Sequence, residues 1–170
     1  MPVNNTEPLS IYRAGPGYAK CLADMILAAS RAPHKRGYLD HLLHGAATDE
    51  VLRLLAALAV HPRQQWGRLD NTWMALVDGV CAGTATFRPA AQVEEFPFSP
   101  PALLLAASGL GLERVAAEAL DRQRMLLDAL PSGQVPPPGT WRLDYLGVRY
   151  ENRGAGVGRG LMLRALDEVR

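Results

Sequence analysis

At 170 residues the chain fits one domain, and its 48% hydrophobic and 21% charged residues are those of an ordinary soluble globular protein. A formal net charge of +1, with no basic run longer than Lys35-Arg36, argues against a polyanion binder, so no nucleic-acid partner is expected. The most apolar windows, Val51 to Val60 and Ala102 to Ala107, are too short to span a bilayer, and Met1 to Pro8 shows no secretory pattern. No membrane partner and a cytoplasmic location are therefore expected.

Leu9 to Arg13 reads as a short first strand, ended by Gly15-Pro16-Gly17. From Tyr18 to Ala32, the apolar residues Leu22, Met25, Ile26 and Ala29 recur at helical spacing until Pro33. Lys35 to Ala47 reads as a loop with a helical turn. Thr48 then offers a cap for a helix with Val51, Leu54, Leu55 and Leu58 on one face, closed by His61-Pro62. Thr72 to Val77 and Val80 to Phe87 are strands joined by Asp78-Gly79, a pair suited to the positive φ angles of a tight hairpin.

A long insert, Arg88 to Thr140, begins and ends in prolines. It holds a short helix after Pro101 and a longer one from Leu112 to Leu130, whose stripe includes Val115, Ala116, Ala119, Leu120, Leu126 and Leu127. Trp141 to Val148 is the next strand. Gly156 to Arg170 follows as a helix with Leu161, Leu163, Leu166 and Val169 on its apolar side. Cys21 and Cys81 each sit in an apolar stretch and read as buried free thiols, small hydrophobes in the core, although a disulfide between them stays open.

Chemistry concentrates in Leu143 to Leu161, where a strand runs through a short loop with glycines at 154, 156, 158 and 160 into a helix. The first amides of a helix lack partners and carry partial positive charge, so they attract phosphate oxygens. Glycines let a diphosphate approach the main chain. A P-loop is excluded because Gly158-Arg159-Gly160 stands where Gly-Lys-Ser/Thr belongs. The dinucleotide fingerprint is excluded because its sixth position falls on Arg159 or Leu161.

What fits is Arg153-x-x-Gly156-x-Gly158 behind Leu146-Gly147-Val148. This stretch resembles the acetyl-coenzyme A motif of the GNAT superfamily of N-acetyltransferases, R/Q-x-x-G-x-G/A after the fourth strand. Tyr150 stands where the family often has Pro. The order of elements, with a helical insert at 88–140 and an aromatic-led strand, looks like the puromycin acetyltransferase-like branch. The resemblance implies an α/β (α+β) fold, a mixed, mostly antiparallel sheet flanked by helices, over a single domain 1–170 with its motif at 143–170. It implies acetyl-coenzyme A as cosubstrate and transfer of acetyl to a primary amine, for which a small molecule is expected over a protein. Carried over by residue, Leu146 and Val148 would contact pantetheine, while Arg153, Gly154, Gly156, Gly158 and Arg159 would surround the pyrophosphate.

The family continues past this helix with further strands that supply an Asn contact and a protonating Tyr, so the reading includes a C-terminal truncation. An open sheet edge is liable to pair with another chain, which leaves a homodimer open, as it does a non-catalytic acyl-coenzyme A binding or interaction module.

Amine acetylation needs a proton acceptor, and Asp144 on the motif strand is the candidate. The alternative for it is a solvated strand residue or a partner for Arg142. Glu94 and Glu95 follow the hairpin and read as exposed loop charges. His41 and His44 sit three apart beside Asp40 with no Cys or third His nearby, and read as a surface pair, so no metal is expected. Trp141 and Tyr145 are candidates for an acceptor pocket, or for the core.

Overall fold

A computed structural model of the chain describes residues 9–64, 66–90, 97–129 and 136–169. Strands β1 (Ser10–Arg13), β2 (Thr72–Val77), β3 (Val80–Pro89) and β4 (Trp141–Val148) form one antiparallel sheet in the order β1-β2-β3-β4. The helices are α1 (Ala19–Arg31), α2 (Tyr38–Leu42), α3 (Thr48–Ala59), α4 (Pro100–Ser108), α5 (Glu113–Ala129) and α6 (Val157–Glu168). The result is an α+β fold.

Alternation along the strands divides the core in two. Trp73, Ala75, Ala85 and Phe87 face α6 and pack with Val157, Leu161 and Ala165. The other face meets α1, behind which α3, α4 and α5 add Leu54, Leu58, Leu103, Ala116 and Ala119 to a larger core. The hairpin forms as its turn chemistry requires: Asp78 and Gly79 have φ of 53° and 72°, and Val77 pairs with Val80.

Three details differ from the periodicity. In α6 the buried set is Val157, Leu161 and Ala165, one residue every four, while Leu163 and Leu166 are exposed. In α5, Leu126 and Leu127 are also exposed, because the helix outruns its core after Gln123. Cys21 on α1 and Cys81 on β3 are joined in a disulfide with Cα atoms 6.5 Å apart, which corrects the reading as free thiols.

The insert is anchored by two buried amides. Gln64 donates to the carbonyls of Trp66 and Pro97 (2.8 and 2.7 Å) and accepts from the Ser99 amide (3.1 Å). Gln123 accepts from the Phe98 amide (3.0 Å) and donates to its carbonyl (2.9 Å). The backbone of residues 97–99 is thereby satisfied by side chains, as a buried non-helical segment must be. At the far side, Trp73 Nε1 donates to Glu168 (2.8 Å), Arg13 pairs with Glu168, and the Arg13 and Arg164 guanidinium groups lie 4.6 and 4.8 Å from the Trp73 ring. These contacts fix the end of α6 to β1 and β2, and so hold its beginning beside β4.

Candidate active site

Among the described residues β4 is an edge strand, paired with β3 on one side only. Its register is even from Val148 (opposite Gly83) to Tyr145 (opposite Thr86), then skips one residue so that Leu143 faces Phe87. The skipped residue is Asp144. A bulge of this kind turns a side chain away from its alternating direction. Here the Asp144 carboxylate meets Arg88 Nε at 2.7 Å, and both side chains are 1% exposed. The sequence offers neighbouring Arg142 as an alternative basic partner for Asp144; the structure supplies a buried one, Arg88.

Arg88 was not singled out from the sequence, yet a signal exists. It follows Thr84 and Thr86 at two-residue spacing, so a charge sits on a buried face of β3. A buried charge of that kind needs a partner.

Tyr145 lies in the core beside Thr72, Thr84 and Thr86. Burial pushes its phenol up to about 12 against the pull of these hydroxyls. Its ring is 6.2 Å from that of Trp66, which stands 6.3 Å from Tyr38. Burial, and then the charge of Asp144, raise the Tyr38 phenol well above its ordinary value. Three aromatic rings thus lead from β4 to α2. Trp141 sits at the exposed end of β4.

The opposite end of β4 leads into the glycine loop. Leu146 is exposed, and Val148 packs at the margin of the α6 core. Arg153 lies over the Tyr150 ring at 5.5 Å and donates from Nε to the Val148 carbonyl at 3.4 Å. Gly154 and Gly156 have φ of 79° and 81°, and Gly156 caps α6 in the left-handed region. The first helical bond runs from the Gly160 amide to the Gly156 carbonyl (2.9 Å), so the amides of Val157, Gly158 and Arg159 precede it. Arg149, also not singled out from the sequence, has a buried Nε with no hydrogen-bond partner.

The glycines separate by cause. Gly154 and Gly156 are required by φ. At Gly160 a Cβ would approach Ile11 Cδ1 at 2.9 Å and Leu9 Cδ2 at 3.1 Å, so the ends of these side chains would have to shift for a larger residue. At Gly158 neither reason holds. A Cβ there would meet Val148 Cγ2 at 3.5 Å and Leu146 Cδ2 at 4.0 Å, ordinary contacts, and φ is not positive. Glycine near a helix start is less stable than alanine by up to about 1 kcal/mol, so the fold itself gains nothing from it. The space it leaves open lies beside Leu146 and Val148, next to the three free amides. A pantetheine arm and its diphosphate fit this arrangement of edge strand, amides and guanidinium groups.

Glu94 and Glu95 lie outside the described residues. His41 and His44 are exposed on and just after α2, and Asp40 beside them is engaged by Arg31. Among the described residues no group of three or more His, Cys, Asp or Glu side chains could hold a metal ion. No helix among them is long and apolar enough to cross a membrane.

No protein-family model matches the chain, and no curated protein matches it. Solved structures do. One acetyltransferase superimposes with a TM-score of 0.63 at 24% identity, covering 94% of this chain and 73% of its own. An N-acetyltransferase from Staphylococcus aureus Mu50 superimposes with a TM-score of 0.55 at 14% identity, covering 94% of this chain and 75% of its own. The chain therefore shares its fold with these two acetyltransferases. At these identities the likeness is one of fold, and the chemistry rests on the residues described above.

Proposed function

We propose that the chain transfers an acetyl group from acetyl-coenzyme A to a primary amine, with a small molecule as acceptor. The observation that carries this reading is Gly158: a helix-start glycine that neither backbone angle nor internal packing requires, open towards Leu146 and Val148. A bound diphosphate gives that glycine a purpose. The fold it shares with known acetyltransferases supports the same reading.

Acetyl-coenzyme A, when bound, would supply a thioester whose carbonyl carbon takes the amine as the C–S bond breaks, so that coenzyme A leaves as its thiolate and takes a proton from solvent. The amides of Val157, Gly158 and Arg159 hold the pyrophosphate through the partial positive charge of the α6 start. Arg153 and Arg159 add full charge, and the free edge of β4 at Leu146 and Val148 aligns the pantetheine arm. Gly154 and Gly156 give the loop the turn that aims these amides outward. Asp144 accepts the amine proton, and the bulge in β4 together with Arg88 fixes its carboxylate in place. Because this carboxylate is buried, the proton reaches it through a relay, for which Tyr38, whose phenol responds to the Asp144 charge, is a candidate.

The same proposal places the chain in the cytoplasm, a compartment in which a disulfide such as Cys21–Cys81 is uncommon. Thiol titration of protein quenched directly from the cytoplasm tests this point. The activity is tested by following free thiol released from acetyl-coenzyme A in the presence of a panel of primary amines. Amine-dependent thiol release supports transfer. Coenzyme A binding without release for any amine supports a binding module instead.

A further inference from the structure

A groove of about 560 Å³ lies between α2 and α5. That volume is within the range of small-molecule sites, roughly 300–1,000 Å³. Tyr38 gives it an aromatic wall, and Met125 and Leu126 give it an apolar one. Met125 is 72% exposed and Leu126 37%, although both sit on a helix whose earlier turns are buried. At this point α5 has outrun its core, so the fold leaves the two side chains facing water.

The polar side of the groove is cationic. It carries Arg122, His41 and His44, and among the described residues no carboxylate lines it. Arg122 is fixed in place, because Nη1 donates to the Leu42 carbonyl (2.9 Å) and Nη2 to Glu118 (2.8 Å). The rest of its N–H fork stays open to a ligand. Glu118 is shared with Arg114 (2.8 Å), so one carboxylate serves two guanidinium groups and the cluster keeps a net positive charge. Asp121 and Arg124, also on α5, pair with each other (3.5 Å). A neighbouring recess, bordered by the same two histidines, adds Lys35 and Arg36, while its acid Asp40 is bound by Arg31.

A cation meets like charge here, whereas a wholly polar anion leaves the apolar wall in water. The ligand that matches both sides has one negative group on an apolar body. A planar guanidinium suits the two oxygens of a carboxylate, and a ring of carbon atoms covers the wall.

We propose that the groove between α2 and α5 is a binding site for a monocarboxylate with an apolar, ring-sized body. The open N–H groups of Arg122 hold the carboxylate, His41 and His44 stand beside it as further donors, and Tyr38, Met125 and Leu126 cover the ring. The groove lies on elements other than β4 and α6, so the inference does not rest on the acetyl-transfer reading.

The test is calorimetric titration of the full chain with 3-phenylpropionate, set against 3-phenylpropionamide, which lacks the charge, and acetate, which lacks the ring. 3-Phenylpropionate should bind about tenfold or more tightly than either, equivalent to about 1.4 kcal/mol. Met125→Leu keeps the wall and should keep this binding. Met125→Asp, at the same exposed position, sets a negative charge beside the carboxylate and should weaken binding about tenfold. Saturating coenzyme A should leave the affinity unchanged. Equal binding of the amide or of acetate overturns the proposal, as does equal binding of 3-phenylpropionate to both Met125 variants, or none at millimolar concentration. Displacement by coenzyme A would place the carboxylate among the arginines at the start of α6 and overturn it too. Failure of coenzyme A itself to bind removes the acetyl-transfer reading and leaves the groove standing.

Discussion

Asp144 and Arg88 form an ion pair at 2.7 Å across a bulge in β4, with both side chains 1% exposed. Taking two charges out of water is costly, and their mutual attraction repays it only while both are present. Removing one partner, in Asp144→Asn or Arg88→Met, should therefore destabilise the fold by about 3–5 kcal/mol. Replacing both with apolar residues, Arg88→Met with Asp144→Leu, should restore much of that loss. Urea unfolding of the three variants decides. Additive losses in the double variant would contradict a paired role. If Asp144 is also the proton acceptor, the double variant regains stability without regaining thiol release.

Gly158 should show opposite signs in two measurements. Gly158→Ala should leave stability unchanged or raise it by up to about 1 kcal/mol, since the Cβ makes only ordinary contacts and alanine is the better helix former. The same change should weaken coenzyme A binding, because the Cβ fills the space beside Leu146 and Val148. Gly156→Ala differs. It forces a side chain into φ of 81° and should cost about 1 kcal/mol or more in stability as well. Urea midpoints set beside coenzyme A titrations separate the two.

Gln123 holds both main-chain polar groups of Phe98 from inside the core. Gln123→Leu is close in volume but strands a buried amide and a buried carbonyl. A loss of about 1–3 kcal/mol for each unsatisfied group is expected. Hydrogen exchange at Phe98 should also accelerate in the variant. Unchanged exchange there would mean that another group satisfies the segment.

The start of α2 should respond to acid. The Asp40 carboxylate binds Arg31 at 2.6 and 3.0 Å and the Gly37 amide at 2.8 Å, and Arg31 holds its pKa below the usual carboxylate value of 3.8. A depressed folded-state pKa means that the unfolded chain binds the proton more readily. The stabilisation is therefore complete above the unfolded value and disappears as pH falls through the folded one. Stability of the unaltered chain should exceed that of Asp40→Asn at neutral pH, and the two should converge as pH falls through the lowered carboxylate range. A constant difference across this range would contradict the assignment.

Much of this architecture is legible in the sequence because its signals are local. The Asp78-Gly79 turn, the apolar spacing of α1 and α3 and the limits of β4 each depend on residues within one element. The motif glycines are legible as a group, though not their division into two set by φ, one against the side-chain ends of Ile11 and Leu9 and one open. What stayed hidden depends on pairing across long separations. The bulge that turns Asp144 towards Arg88 is fixed by register between strands 56 residues apart. Gln64 and Gln123 read as ordinary polar residues until the 97–99 backbone is placed between them. The Cys21–Cys81 bond likewise depends on where α1 lies on the sheet. In α5 and α6, apolar residues continue past the core, so periodicity overstated burial at Leu126, Leu127, Leu163 and Leu166.

The central claim is that the β4 edge and the start of α6 hold a coenzyme A diphosphate and pantetheine arm. Thermal unfolding of the chain at rising coenzyme A, with adenosine as the control, addresses it most directly. At 100 times its dissociation constant, coenzyme A should add about 2.7 kcal/mol to the folded state and raise the midpoint clearly, while adenosine should not. Cooperative unfolding whose midpoint does not move with coenzyme A would contradict the claim.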